Sequence, residues 1–299
     1  MDPHGSPARV GRDGTLSLRL ERRGTATVLA GCRFTLPLQV LAPLALDEQA
    51  LVVSMLNPTG AVLGGDHLAI DVHASAGAHG LLTTPSATKV YRSDGPVAVQ
   101  DVRLVVAPGA VVEWVPDHTI PFAGAAYRQR LHARVGADAT LVVLDAFAAG
   151  RVARGERWRF RLLESALSIA DEDGWLLHDR FVLRGDGPWD ELGFTEGRPY
   201  FATIAVVAPT PVETLARAVS DAVGAREFGD PSREERACVS RGLHVHGGAR
   251  IGVGRLPRRG ILVRCLADTA PALGDAIRAS WDAVRAVAIG APPVDLRKY

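Results

Sequence analysis

Lysine and cysteine are scarce in this chain, and their scarcity excludes several classes of protein. The 299 residues contain three cysteines, which are widely spaced and form no Cys-x-x-Cys pair, so we expect neither a disulfide framework nor a structural zinc site. Lys89 and Lys298 are the only lysines, and the net charge is +1. Because nucleic-acid-binding proteins need a clustered basic footprint, no nucleic acid partner is expected.

Long apolar segments and a signal sequence are also missing. No stretch approaches the roughly 18 uncharged apolar residues of a membrane-spanning helix. Residues 1–14 are rich in proline, glycine and arginine and lack the apolar core of a signal peptide. We therefore expect a cytoplasmic protein with no membrane contact, a flexible segment at 1–14 and a single domain at 15–299.

Alternation of apolar and polar residues predicts strand after strand from Thr15 to about Leu183. The alternating sets are Leu16, Leu18 and Leu20; Leu68, Ile70 and Val72; Tyr127, Gln129, Leu131, Ala133 and Val135; and Trp158, Phe160 and Leu162. More continuous apolar runs at 51–56, 102–106 and 140–147 predict strands that are covered on both faces.

A loose internal repeat connects these strands. An alternating strand leads into a Gly-Ala turn and then into a more apolar strand at Gly77-Ala78, Gly109-Ala110 and Gly136-Ala137, with spacings of 32 and 27 residues. Repeated units of this kind stack and bury their faces on one another. We therefore predict a mostly β protein with a stacked-strand, β-solenoid-like body at about 15–208.

The C-terminal part, at about 209–299, has a different pattern and predicts a small α/β region. A helix is expected with Thr210 as N-cap, Pro211 at its first position and Gly224 at its end. Short strands are expected within 242–266. A second helix is predicted at 268–288, because its apolar residues fall on one stripe.

Two segments, 56–66 and 81–92, combine turn-forming residues with polar side chains. The residues of interest are Asn57, Pro58, Gly65 and Asp66 in the first segment, and Thr84, Pro85, Lys89, Tyr91 and Arg92 in the second. Neither segment has the glycine and lysine order of a phosphate loop, and no Gly-x-Ser-x-Gly nucleophile elbow occurs. Structural hydrogen bonding or partner contact is therefore the expected role for most of them.

Histidines and carboxylates on one predicted strand suggest a metal site. The period of two places His67, Asp71 and His73 on one face, with Asp66 beside them and His79 across the next turn. Imidazole and carboxylate ligands suit nickel or zinc. Alternation alone also produces a solvated polar face, which is the simpler interpretation.

Other polar residues lie near the ends of predicted strands. Asp117 and His118 follow an apolar strand and are candidates for a metal contact or an acid–base pair. His244 and His246 share the spacing of a two-ligand clip, although surface histidines are the simpler interpretation.

The loop at 150–157 presents three arginines around one carboxylate. We expect Arg151 and Glu156 to form a clasp that holds the loop, with an anion site as the alternative. Glu156, like Asp66, also ends a glycine-containing loop, so both are candidate contacts for a passing metal ion.

Five segments, in this order, resemble the family of urease accessory protein UreD, also called UreH. They are Gly14-Thr15-Leu16-Ser17-Leu18 with Pro37-Leu38-Gln39-Val40; Asn57-Pro58-Thr59-Gly60 with Gly65-Asp66; Thr83-Thr84-Pro85-Ser86-Ala87-Thr88-Lys89 with Tyr91-Arg92; Glu113-Trp114-Val115-Pro116 with Thr119-Ile120; and Gly150-Arg151 with Gly155-Glu156. The chain departs from the family at Asp117-His118, where Gln-Glu is usual, and at Ala123, where an acid commonly follows Phe.

The resemblance implies a mostly β fold and a role other than catalysis. Proteins of this family bind UreF, recruit the GTPase UreG, dock on apo-urease and pass nickel through an internal passage. For this chain the resemblance implies UreF-like and UreG-like partners and transiently bound nickel. Asp66, Asp117, His118 and Glu156 are the candidates for the nickel path.

Two other functions stay open. One is a β-solenoid enzyme that acts on a saccharide or small acid through Asp66, Asp117 or Glu156, although aromatic residues make up only 6% of the chain. The other is an interaction module with no metal role. Apolar runs at 36–46 and 202–208 are expected to remain exposed in part as partner-binding patches.

Overall fold

The structure is a computed structural model, and it describes residues 12–185, 187–224 and 243–296. Most of the predicted N-terminal segment, residues 1–11, lies outside the described residues, as does Cys238. The first strand begins at Asp13, two residues before the predicted start of the body.

Within the described residues, the strands form a seven-stranded first sheet and a twelve-stranded second sheet. The first sheet consists of β1 (Asp13–Arg23), β2 (Ala26–Phe34), β6 (His67–Ala74), β9 (Ala98–Val106), β12 (Ala126–Val135), β14 (Leu162–Asp171) and β15 (Gly174–Leu183). The second consists of β3 (Gln39–Val40), β4 (Leu44–Ala45), β5 (Ala50–Leu56), β7 (His79–Thr83), β8 (Thr88–Val90), β10 (Val111–Trp114), β11 (Thr119–Pro121), β13 (Thr140–Ala148), β16 (Tyr200–Val207), β17 (Leu243–His246), β18 (Ala249–Arg255) and β19 (Gly260–Ala267).

Successive coils of the chain contribute one strand to each sheet. In the first sheet β1, β6, β9, β12 and β14 are parallel neighbours, and in the second sheet β5, β7, β10 and β13 are parallel neighbours. A short third side of the coils is formed by Val62, β8 and β11, which also pair in parallel. The predicted solenoid-like stacking is confirmed, with about 49% strand and 14% helix.

The turns between the two sheets stack on one another, as the repeat predicts. Gly77 and Gly109 have positive φ angles of 69° and 66°. In the third turn the equivalent position, with a φ of 53°, is Asp138, two residues after Gly136. Gly136 is required for a different reason, since a Cβ there would lie 2.7 Å from the backbone nitrogen of Pro108 in the coil below. The repeat is therefore more regular than the Gly-Ala pairs indicate.

Two apolar cores lie on either side of the second sheet. The first fills the space between the sheets, where the alternating residues of β1 and β6 are buried. The second core lies between the second sheet and the helices α1 (Val212–Gly224) and α2 (Ala270–Val284). β13 is therefore covered on both faces, as predicted for 140–147.

Helix α2 begins where the sequence predicts but changes its geometry before the predicted end. The side chain of Thr269 accepts a hydrogen bond from Ala272 N at its start, and residues Arg285–Ile289 form a π-helical turn at its end. The Thr210 hydroxyl does not cap α1 but donates to the carbonyl oxygen of Val287 at 3.3 Å. Neither helix in the described residues is long and apolar enough to cross a membrane.

Four further sequence predictions are wrong in detail. Trp158 and Phe160 are buried but lie in an irregular turn, where Trp158 has a φ of 56°. The run 102–106 is not covered on both faces, because Arg103 is exposed on the outer face of the first sheet. The apolar run 202–208 was expected to be partly exposed, but it is fully buried under the helices. His246 was expected at the surface, but it is buried, with Nδ1 3.1 Å from the Val223 carbonyl oxygen.

Candidate functional site

A cavity of about 260 Å³ lies where the two sheets meet the short third side of the coils. Both of the segments singled out in the sequence, 56–66 and 81–92, border it. Asn57 comes from the first motif, and Thr84, Pro85 and Lys89 come from the second motif. Asp117 lines the cavity beside them. The strands supply its deeper walls, which include Leu68, Ile70, Trp114, Gln100, Gln129 and Asp145.

The first motif forms a self-supporting turn at the cavity wall. The Asn57 carboxamide oxygen accepts hydrogen bonds from the backbone and hydroxyl of Thr59, at 3.1 and 2.6 Å. Its amide nitrogen donates to the Ala61 carbonyl oxygen at 3.1 Å. Asparagine followed by Pro58 thus fixes the turn through its own side chain, which is a structural role.

The second motif holds Asp117 in place. The Thr84 hydroxyl accepts a hydrogen bond from Asp117 N at 2.9 Å, which ties the loop after β7 to the loop after β10. One carboxylate oxygen of Asp117 lies 2.9 Å from the His118 ring Nδ1 and accepts from His118 N at 2.8 Å. The predicted Asp117 and His118 pair is therefore present as a contact, with Asp117 facing the cavity.

Asp145, which the sequence analysis did not select, also lines the cavity. Its carboxylate accepts hydrogen bonds from Gln129 Nε2 at 2.8 Å and from the Ser165 hydroxyl at 2.6 Å. Burial raises the pKa of Asp145 to about 6, although these two hydrogen bonds act in the opposite direction. A chain of polar groups continues from Gln129 to Gln100, whose amides lie 3.5 Å apart.

Asp66 is buried but binds the backbone of its own fold. One carboxylate oxygen accepts from Arg12 N at 3.0 Å and the other accepts from Leu63 N at 2.8 Å. These bonds fasten the start of β1 to the turn that contains Gly65, whose φ is 83°. Asp66 does not appear among the described residues that line the cavity.

Glu156 forms the predicted clasp with Arg151. Two guanidinium nitrogens of Arg151 bind its two carboxylate oxygens, and Ala123 N donates to the same carboxylate at 3.2 Å. The hydrogen bond from Arg151 lowers the pKa of Glu156, against the effect of partial burial. The Arg151 guanidinium also lies 4.1 Å from the centre of the Phe122 ring, which packs on Tyr91. This arrangement holds the loop and is not a free anion site.

Arg92 and the β6 histidines, His67 and His73, face solvent. Arg92 binds the carboxylate of Asp94 at 3.1 Å, with both side chains largely exposed. His67 lies 3.0 Å from Asp101 on the outer face of the first sheet, and Asp71 and His73 are exposed on that face. These residues therefore form the solvated polar face that was the simpler interpretation of the sequence. Among the described residues, no three His, Cys, Asp or Glu side chains are grouped so that they could hold a metal ion.

The sequence contains a signal for the missed Asp145. It is the single acid within the apolar run 140–147, and Gln129 falls on the predicted inward face of its strand. A buried polar group needs partners, so two polar residues on facing strands indicate an internal polar site. Of the acids suggested for an enzymatic role, Asp117 lines the cavity, whereas Asp66 and Glu156 bind structural groups elsewhere.

Comparison with known proteins identifies the family. A family model described as UreD urease accessory protein matches residues 12–298. The chain belongs to the UreD family. A urease accessory protein UreD from Deinococcus radiodurans is 35% identical over 306 residues, covering all of both chains. UreD 2 from Streptomyces griseus is 36% identical, covering 98% of this chain and 95% of its own.

Membership of the UreD family agrees with the fold and the motif order. UreD from Alkalilimnicola ehrlichii is 30% identical over 97% of this chain and 92% of its own. These UreD relatives are named as accessory proteins rather than as enzymes. A role in urease maturation follows from the family.

Proposed function

We propose that this protein is a cytoplasmic scaffold for urease maturation. It binds apo-urease together with UreF-like and UreG-like accessory proteins, and nickel passes through its internal cavity toward the urease active site. The observation that supports this most strongly is the cavity itself, because two sequence motifs and the Asp117 loop converge on it.

The cavity suits an ion in transit. Asp117 and Asp145 line its wall, together with Gln100 and Gln129. An ionised carboxylate offsets part of the cost of bringing a divalent cation into a low-dielectric interior. Single oxygen donors bind nickel more weakly than a cluster of imidazoles or thiolates. Such a path allows the ion to be released at its far end.

An exposed apolar patch provides a surface for a protein partner. Phe34, Leu36, Leu41 and Leu44 are 45%, 54%, 47% and 66% exposed, which fits the predicted exposure of the run 36–46. They lie where β2, β3 and β4 form the edges of the two sheets. Exposed apolar groups of this kind are typical of interaction sites, and we assign this patch to the UreF-like partner.

Partner binding can be tested with a matched pair of exposed leucines. Leu44→Arg should abolish capture by an immobilised UreF-like protein. Leu192→Arg should leave it unchanged, since Leu192 is 88% exposed in a different loop. Equal binding by both variants would show that the patch is not part of the interface. This result would leave the proposal for the cavity unaffected.

The ion path can be tested by blocking the cavity mouth in a reconstituted mixture of apo-urease, accessory proteins and nickel. Ala87 lines the mouth and is half-buried, so Ala87→Phe should slow urease activation at least tenfold while the partners still bind. Ala76→Phe, at an exposed turn between β6 and β7, is the control. Activation of the Ala87→Phe mixture at the control rate would contradict an internal path.

A further inference from the structure

Four basic side chains gather on and beside the short third side of the coils, next to the cavity mouth. They are Lys89, Arg92, Arg159 and Arg161, and all four are exposed. We call this group the basic strip. Lys89 follows the mouth residue Ala87 by two positions. We propose that the basic strip is the docking site for a carboxylate-rich surface of a partner protein that meets the cavity mouth.

Three stacked segments of the chain bring these basic residues together. The segments are 88–95, 119–125 and 158–161. Backbone hydrogen bonds join them: Ser93 N donates to the Gly124 carbonyl oxygen at 3.2 Å, and Gly124 N donates to the Arg159 carbonyl oxygen at 2.8 Å. Segments joined in this way are about 4.8 Å apart. Residues that are distant in sequence therefore lie within roughly 10 Å across the stack.

The basic side chains lie on the outer surface of this stack. Arg159 and Arg161 alternate with two buried aromatic residues, so both project away from the core. Arg161 reaches across the middle segment, where its Nη2 donates to the Gly95 carbonyl oxygen at 2.6 Å. Arg92 reaches over the same segment, since a Cβ added at Gly124 would lie 3.0 Å from its Cγ. The guanidinium groups are thus neighbours on one surface.

The positive charge of the basic strip exceeds the negative charge beside it. Asp94 is the single carboxylate in the three segments, and it pairs with Arg92 at 3.1 Å. The side chains of Lys89 and Arg159 have no ion pair or hydrogen bond with any residue that the structure describes. The ionised groups of the adjoining loops 150–157 and 188–191 cancel in number: Arg151, Arg154 and Arg157 against Glu156, Asp190 and Glu191. The basic strip therefore carries an excess of positive charge that a ligand can use.

The chemistry of the basic strip favours the carboxylates of a protein over other anions. Guanidinium groups bind carboxylates through two parallel hydrogen bonds. Tyr91, which is 39% exposed, lies between Lys89 and Arg92 in the sequence, and arginine and tyrosine are enriched at the centres of protein–protein interfaces. A second copy of this chain would bring like charges together. A nucleic acid needs a larger basic footprint than four residues in a chain of net charge +1.

This inference rests on the proposed scaffold function, so its test uses the three proposed partners: apo-urease, the UreF-like protein and the UreG-like protein. Their affinities are measured for the full-length protein with Arg159→Glu and with Arg217→Glu, which makes the same charge change at an exposed position of α1. We expect Arg159→Glu to weaken binding of at least one partner tenfold or more, and Arg217→Glu to leave all three affinities unchanged. Arg159→Lys should bind normally because it keeps the charge. The melting temperatures should not change, because the substituted side chains are exposed.

Salt separates ion pairing from a change in shape. The loss caused by Arg159→Glu should shrink as sodium chloride is raised, because exposed charges are screened. A loss that salt does not alter would contradict the proposal, and so would displacement of the partner by oligothymidylate at an equal concentration of charges. Equal affinities of Arg159→Glu and Arg217→Glu for every partner would overturn the basic strip and leave the scaffold function intact. Failure of the wild type to bind any of the three would overturn the scaffold function and the basic strip together.

Discussion

Arg285 and Glu113 form an ion pair in which both side chains are 0% exposed. They lie 172 positions apart in the sequence and connect the π-helical turn after α2 to β10, a central strand of the solenoid. Glu113 also accepts from Trp281 Nε1 at 2.8 Å and contacts the His79 ring at 2.8 Å. Burial alone raises the pKa of Glu113, but its bonds with His79 and Arg285 together hold the pKa below its usual range.

Breaking this pair should strongly destabilise the fold. Arg285→Met leaves a buried carboxylate without its counter-charge, which costs about 3–5 kcal/mol. Arg255→Met is the control: Arg255 pairs with Glu213 where the side chains are 62% and 64% exposed, so its loss should cost at most about 1 kcal/mol. Urea denaturation measures both. Similar losses in the two variants would show that the buried pair does not anchor the helices.

The two carboxylates Asp66 and Asp71 should differ in their effect on stability. Asp66→Ala removes acceptors from Arg12 N and Leu63 N, so we expect a loss of about 2–3 kcal/mol. Asp71→Ala affects a long contact of 3.8 Å with Arg103 on the exposed face and should change stability by less than about 0.5 kcal/mol. Thermal unfolding of both variants provides the measurement. A stable Asp66→Ala variant that fails in nickel transfer would assign Asp66 to the ion path instead.

Asp145 should make stability depend on pH. Its pKa is about 6 in the folded protein and 3.8 as the ordinary value, so the folded state favours the protonated carboxyl. The contribution of Asp145 to the free energy of unfolding is therefore fully present below about pH 4. It is lost as the pH rises through about 6, a change of about 3 kcal/mol. Asp145→Asn should be more stable than the wild type at neutral pH, and the difference should disappear in acid. A constant difference between the two unfolding free energies would contradict this assignment.

Most of the first sheet could be predicted from the sequence, because its central strands β1 and β6 are covered on one face and exposed on the other. Alternation at Leu16, Leu18 and Leu20 marks the inward face directly. The turns were recognisable from Gly77 and Gly109, since positive φ favours glycine. At Asp138 the same conformation is taken by a residue that tolerates it less well, and the sequence pattern there shifts by two positions.

The buried polar groups could not be predicted to the same degree. Glu113 follows two valines and its partners lie at positions 79, 281 and 285, so local periodicity contains no information about the cluster. On β6 the sequence suggests a site that the fold does not form. His67, Asp71 and His73 match the spacing of metal ligands, but the same alternation also produces a solvated face. Whether a polar residue is buried depends on which elements cover its strand, and that is a property of the whole fold.

The most direct test of the ion path is the rate at which nickel enters urease with Asp145→Asn in the reconstituted mixture. The asparagine keeps the shape of the site and one acceptor oxygen for Gln129 Nε2 or the Ser165 hydroxyl, and it removes the charge. Asp101→Asn, on the outer face of the same solenoid, is the matched control. The account predicts that the initial rate of nickel incorporation falls at least tenfold for Asp145→Asn and is normal for Asp101→Asn. Equal rates for the two variants would contradict a nickel path through the cavity.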